Sequence, residues 1–150
     1  MREAIKLSIE NVESGTGGPF GAVIVRNEEI IARGANLVTS SNDPTAHAEV
    51  VAIREACNLL GDFQLTGCDI FCSCEPCPMC LGAIYWARLD SIYYGNSKED
   101  AAAIDFDDHF IYDEIKKPVT QRCFPTNQLL REEAVVAFQN WSASENRIEY

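Results

Sequence analysis

Apolar and polar positions follow two alternating periods along the chain. Residues 1–12 repeat aliphatic side chains at helical spacing, with Ile5, Ile9 and Val12 on one face, and predict a first helix. Gly15-Thr16-Gly17-Gly18-Pro19 breaks that pattern as a loop. Two apolar, β-branched runs over 20–26 and 29–35, joined through Asn27-Glu28, predict a hairpin. A polar loop over 37–44 leads to a helix over 45–60, with Thr45 as N-cap, Val50, Ile53, Ala56 and Cys57 repeating, and Gly61 as the stop. Residues 68–73 predict a third strand, 78–88 a helix directly after it, and 91–95 a fourth strand. The remainder reads as a helical, acid-containing connection over 98–117, a fifth strand over 119–124 and a closing amphipathic helix over 127–141. This order predicts a three-layer α/β/α sandwich around a five-stranded mixed sheet, in a single domain spanning 1–150.

Composition fits that picture. Of the 150 residues 47% are apolar and 23% charged, the balance of a soluble globular protein able to close its own core. No apolar run is long enough to span a membrane, and residues 1–12 lack the apolar core of a signal peptide. Seven cysteines, four of them between Cys72 and Cys80, make a poor disulfide framework and a better metal or thiol cluster. The expected location is cytoplasmic. Charge narrows the partners: 12 Lys plus Arg against 23 Asp plus Glu give a net −11, with no basic run. Nucleic-acid affinity depends on Lys and Arg neutralising phosphates, so a small neutral substrate is expected and a nucleic acid is not.

The candidate chemistry lies in two short stretches. His47-Ala48-Glu49 and, thirty residues beyond that histidine, Pro76-Cys77-Pro78-Met79-Cys80 supply one imidazole, two thiols and a spare carboxylate. Structural zinc takes four protein ligands, whereas catalytic zinc keeps one position open for water. Both stretches open predicted helices that follow loops at strand ends, so the two helix starts can converge above the sheet. Residues three apart share a helix face, which lets Cys77 and Cys80 hold one ion. First-turn N–H groups favour thiolates, and Pro78 suits a position whose N–H is not needed. On an ideal helix Glu49 projects about 200° round from His47, beside a bound water and outside the ligand set. A lone Cys-x-x-Cys is often structural and a lone buried histidine is often only packed; their co-occurrence in strand-to-helix context points to catalytic zinc. Two rivals share these residues. Cys74-x-x-Cys77-x-x-Cys80 resembles the start of an iron–sulfur run, without its fourth cysteine and proline. A structural Cys₃His zinc would recruit Cys74, although strand alternation puts Cys72 and Cys74 on one side and favours packing for both.

His-x-Glu paired with Pro-Cys-x-x-Cys is the known signature of zinc deaminases that act on bases. From Asp43 to Glu49 and from Cys74 to Cys80 the chain resembles the cytidine deaminase-like superfamily, and with it that superfamily's three-layer fold. Two branches share this wording, tRNA adenosine deaminases and bacterial-type guanine deaminases. The segments Gly17-Gly18-Pro19-Phe20-Gly21-Ala22, Thr39 to Pro44, Leu81 to Arg88, Phe106-Asp107-Asp108 and Glu149-Tyr150 resemble the guanine branch. The resemblance implies one Zn²⁺ per subunit on His47, Cys77 and Cys80, with Glu49 shuttling protons and Asp108 assisting at the amino-bearing end of the purine. It implies that Asn36 and the backbone of Ala48 hold the base's polar edge, and that Phe20 and Trp86 line its face. It further implies a homodimer, domain-swapped through the C-terminal segment, with Tyr150 closing the pocket from the second subunit. By residue type alone Asn36 would be a turn, Phe20 and Trp86 core, Asp105 to Asp108 a solvated acidic loop, and 142–150 a polar tail. The chain departs from the guanine branch at Asp105, where a glycine is usual, and over 117–131.

The expected activity is therefore hydrolysis of guanine to xanthine and ammonia. Adenosine-to-inosine editing of tRNA is the nearest alternative; it predicts a basic surface, which Glu132, Glu133 and Glu145 oppose. Guanosine and cytosine would suit the same chemistry. A different class, a zinc-stabilised binding module without catalysis, would have no need of Glu49.

Overall fold

A tight hairpin organises the first part of the chain. Strands β1 (Gly21–Arg26) and β2 (Glu29–Ala35) pair antiparallel across Asn27 and Glu28. Both turn residues lie in the left-handed region, φ 51° and 66°, as a two-residue turn matched to strand twist requires. Strand β3 (Cys68–Cys74) pairs antiparallel with β1, and β4 (Ser91–Asn96) runs parallel to β3, giving a four-stranded mixed sheet in the order β2-β1-β3-β4. The computed structural model describes residues 1–106 and 108–149, which divide between the compact units Met1–His109 and Phe110–Tyr150.

Two glycines show how the layers form. A Cβ on Gly21 would lie 2.4 Å from the carbonyl oxygen of Ala4 in α1 (Arg2–Glu13). A Cβ on Gly34 would lie 2.0 Å from the carbonyl oxygen of Ala48 in α3 (Ala48–Leu60). Gly21 pairs with Ala35, one position from Gly34, so the two glycines face opposite sides of the sheet. Helix α1 therefore covers one face and α3 the other, close enough that only glycine fits beneath each. Ala22, Ile24, Ala32, Ile70 and Cys72 form the core under α3, with Ala48, Ala52 and Ala56 above them and Ile84 from α4 (Pro78–Trp86) beside them.

Close approach also decides which way α1 faces. Ile5, Ile9 and Val12 share a face, but that face is exposed; Ala4, Ser8 and Asn11 are buried. Small or hydrogen-bonded side chains suit a helix seated on a glycine, and the bulkier aliphatic stripe is turned outward. Helix α3 starts later than expected, with His47 as N-cap, because the N–H and hydroxyl of Thr45 both donate to the Asp43 carboxylate. A short helix, α2 (Val38–Ser41), stands within the expected loop, and Gly61 ends α3 in the left-handed conformation as expected.

The expected fifth strand is absent. A 3₁₀ turn, Val119–Gln121, stands there after Pro118, and the Gln121 and Arg122 N–H groups donate to Pro118 and Val119 carbonyls. The Cys123 N–H donates to the Glu114 carboxylate, so the donors of this run go to a turn and a side chain. β-Branched composition makes a strand only where an edge accepts its ladder bonds. The 98–117 connection is two helices, α5 (Lys98–Ala102), held by a Ser97–Asp100 capping box, and α6 (His109–Lys116). Helix α7 (Arg131–Ala143) follows. No described residue of the unit beginning at Phe110 is buried. Among the described residues no helix is long and apolar enough to cross a membrane.

Candidate metal centre

Two helix starts bring three metal-ligating side chains together. His47 and Cys77 are the N-caps of α3 and α4, both with extended backbone and neither using its side chain as a cap. Cys80 lies one turn into α4 and is buried. His47 Nδ1 lies 3.6 Å from Cys77 Sγ and 3.5 Å from Cys80 Sγ. All three donor atoms fall within 4.8 Å of one another. Zinc bonds of about 2.05 Å to nitrogen and 2.3 Å to sulfur, at the tetrahedral angle, place such donors about 3.6 Å apart. The spacing and the borderline-soft N, S, S donor set both fit zinc. Which imidazole nitrogen faces the two sulfurs is something only the fold supplies.

Electrostatics agree with the geometry. The hydrogen bond from Cys80 holds the Cys77 thiol well below its usual range, while the same partnership and burial keep the proton on Cys80. Cys77 raises the pKa of His47, with smaller contributions from Glu49 and Asp108. Glu49 projects from the first turn of α3 and is buried to 8% exposure. Burial raises its pKa, against an opposing hydrogen bond from its own backbone N–H. Cys72 and Cys74 are buried thiols pushed up by desolvation, Cys74 to about 11, and the Cys74 thiol donates to the Ser97 carbonyl at 3.5 Å. Neither belongs to the donor cluster.

The other expected site residues have the following surroundings. Asn36 is buried at the end of β2, and its Oδ1 accepts the Val38 N–H at 3.2 Å. The turn expected from its residue type is thus real, and it leaves the side-chain NH₂ without a hydrogen bond among the described residues. Ala48 is the first residue of α3, where a helix cannot use the N–H itself. Phe20 packs edge-on against Phe106, ring centroids 5.0 Å apart. Phe106 is a ring neighbour that the sequence marks only by its place two residues before Asp108. Asp108 is half-buried and close enough to act on both His47 and Cys74. Trp86 stands apart, 64% exposed at the end of α4 and about 13 Å along the helix axis from Cys77. Tyr150, expected to close the pocket, and Asp107 lie outside the described residues.

The cytidine and deoxycytidylate deaminase zinc-binding region matches residues 1–96. This chain belongs to that family. Like its other members it is a zinc protein, and the His-Cys-Cys cluster is positioned for one ion. Among relatives of this deaminase, the guanine deaminase of Bacillus subtilis is 54% identical over 150 residues, covering 100% of this chain and 96% of that protein. Its crystal structure superposes with a TM-score of 0.96 over 99% of this chain and 95% of that one. The tRNA-specific adenosine deaminase of Agrobacterium fabrum is 44% identical over 87 residues, 58% of this chain and 57% of that protein. A guanine deaminase from Nitrosomonas europaea matches with a TM-score of 0.67 at 30% identity, over 71% of this chain and 62% of that one.

Proposed function

We propose that this deaminase hydrolyses guanine to xanthine and ammonia, the whole chain working as one catalytic unit. The observation that carries the reading is likeness to a guanine deaminase over the full length of both chains, where the tRNA-specific relative from Agrobacterium fabrum matches little more than half. The net charge of −11 supports a small base over a polyanion.

His47, Cys77 and Cys80 would hold the zinc, one ion per subunit. When bound, it lowers the pKa of water toward neutrality and so supplies a nucleophile at neutral pH. Glu49, buried beside the ligands, takes a proton and returns it to the ring nitrogen N3; a raised carboxyl pKa suits a group that both accepts and gives protons near neutral pH. Ammonia leaves C2 only once its nitrogen is protonated, and Asp108 serves that edge. The Asn36 NH₂ donates to the carbonyl of the base, the Ala48 N–H supports the same polar edge, and Phe20 covers the ring face. A polar pocket of this kind rejects bases whose donors and acceptors are reversed, because its own groups would be left unpaired.

We further propose a homodimer, domain-swapped through the C-terminal segment, in which Tyr150 closes the partner's pocket. Helix α4 is apolar all round, yet Met79, Tyr85 and Trp86 are exposed, as are Phe124, Phe138 and Trp141 of the second unit. Surfaces of that kind mark protein interfaces, and Trp86 would line the base from there. The seven cysteines are free thiols, which suits a reducing cytoplasm.

Ammonia release measured across guanine, guanosine, adenine, cytosine and tRNA tests the substrate. Guanine is expected to dominate; inosine formation in tRNA with no turnover of guanine would overturn the reading. Glu49→Gln is expected to retain zinc and lose about 10²–10⁴-fold in kcat. Zinc retention with no ammonia from any base would favour a binding module. Mixed Glu49→Gln and Tyr150→Ala chains should regain activity if Tyr150 acts across the dimer.

A further inference from the structure

We infer that Asn11 is a positioning residue of the base pocket: its side-chain amide fixes the glycine loop and the end of β2, and through them Phe20 and Asn36. Asn11 is buried on the inner face of α1, 5% exposed. Its Nδ2 donates to two backbone carbonyls, Gly18 at 2.8 Å and Asn36 at 2.8 Å. Both partners are acceptors only, so the amide has one workable orientation and spends both of its protons there. The loop lies hard against the strand end, since a Cβ on Gly17 would stand 2.1 Å from the Asn36 carbonyl oxygen.

A closed circuit results. The Gly18 carbonyl also accepts the Phe20 N–H at 2.8 Å, the Phe20 carbonyl accepts the Asn36 N–H at 3.1 Å, and the Asn11 carbonyl accepts the Thr16 N–H at 3.1 Å. With Oδ1 of Asn36 occupied by Val38, the N–H, the carbonyl and Oδ1 of Asn36 are all held, and its NH₂ remains for a ligand. Asn11 does not itself touch the base. A helix on the opposite face of the sheet from α3 thus sets the angle of the residue that reads the base carbonyl. This rests on the pocket reading of Asn36 and Phe20 given above.

The test compares Asn11→Ala, the isosteric Asn11→Asp, Asn36→Ala and Ala4→Gly in the zinc-loaded full chain. Steady-state kinetics on guanine are joined by calorimetric Kd values for hypoxanthine, which keeps the carbonyl edge but has no amino group to lose. Both Asn11 variants are expected to raise KM and the hypoxanthine Kd about tenfold, with kcat within about threefold and zinc still at one per chain. Ala4→Gly loosens the same helix without touching the circuit and is expected to lower Tm while leaving KM unchanged. A KM within twofold of the parent in both Asn11 variants, or an equal rise in Ala4→Gly, overturns the positioning role. An unchanged KM in Asn36→Ala overturns the pocket assignment and this inference with it.

Discussion

The two units of this chain bury their apolar side chains to opposite degrees. Within Met1–His109, Ile24, Leu65 and Ile70 are fully buried, and the helices that carry the metal-ligating side chains start in the same unit. From Phe110 to Glu149 none of the described residues is buried, although Phe124, Leu129 and Phe138 are each at least 75% exposed. Apolar content alone therefore does not make a core. The first unit has a sheet whose faces accept helices at glycine distance. The second has two helices and a turn with no sheet between them, and so lacks a surface of its own on which to bury what it carries. The metal-ligating side chains lie in the unit with the closed core, and the segment expected to complete the pocket lies in the other.

The sharpest way to break this contrast is to truncate one apolar side chain in each unit. Ile70→Ala should lower unfolding free energy by about 2–5 kcal/mol in chemical denaturation, because it leaves a cavity in a closed core. Phe138→Ala should change unfolding of the dissociated chain by no more than about 0.5 kcal/mol. Its effect on the proposed dimer should appear in sedimentation as weaker association. Equal losses in denaturation from both would mean that the second unit has a core of its own.

A smaller effect links packing to the centre. Gly34→Ala places a methyl against the Ala48 carbonyl, beside the residue that caps α3 with its imidazole. Overpacking of this kind costs about 1–3 kcal/mol, and the shift of α3 should show as faster zinc loss to a chelator. Gly82→Ala, which meets nothing within 4 Å, should leave zinc retention unchanged.

The smallest effect concerns acid. Lys117 and the Cys123 N–H hold the Glu114 carboxyl down at about 2, from an ordinary 4.5. The charged form is the one the fold prefers, so the stabilisation is complete above about pH 4.5 and is lost as pH falls through about 2. The Cys123 amide resonance should titrate with the folded-state carboxyl, near pH 2, and Glu114→Gln should remove the transition.

Much of this was legible in the residues. Glycine breaks, a two-residue turn and apolar, β-branched runs located four strands, and the donor set His47, Cys77 and Cys80 was readable from spacing because metal chemistry restricts residue type and distance together. The direction in which α1 faces was not legible. Its aliphatic stripe Ile5, Ile9 and Val12 is exposed, and the opposite stripe of Ala4, Ser8 and Asn11 is the one narrow enough to seat on Gly21. Nor was the fate of 119–124, since its composition suits a strand and only the tertiary structure sends the Gln121, Arg122 and Cys123 N–H groups to a turn and to Glu114.

What the sequence determined by itself was the donor set and its class of chemistry, because ligand identity and short-range spacing are local properties. Tertiary structure alone decided which imidazole nitrogen faces the two sulfurs, how deeply Glu49 is buried, and that Asn11 braces Asn36 from 25 residues away in the chain. Those depend on how closely a helix approaches a sheet, and that distance is set by every side chain between them at once.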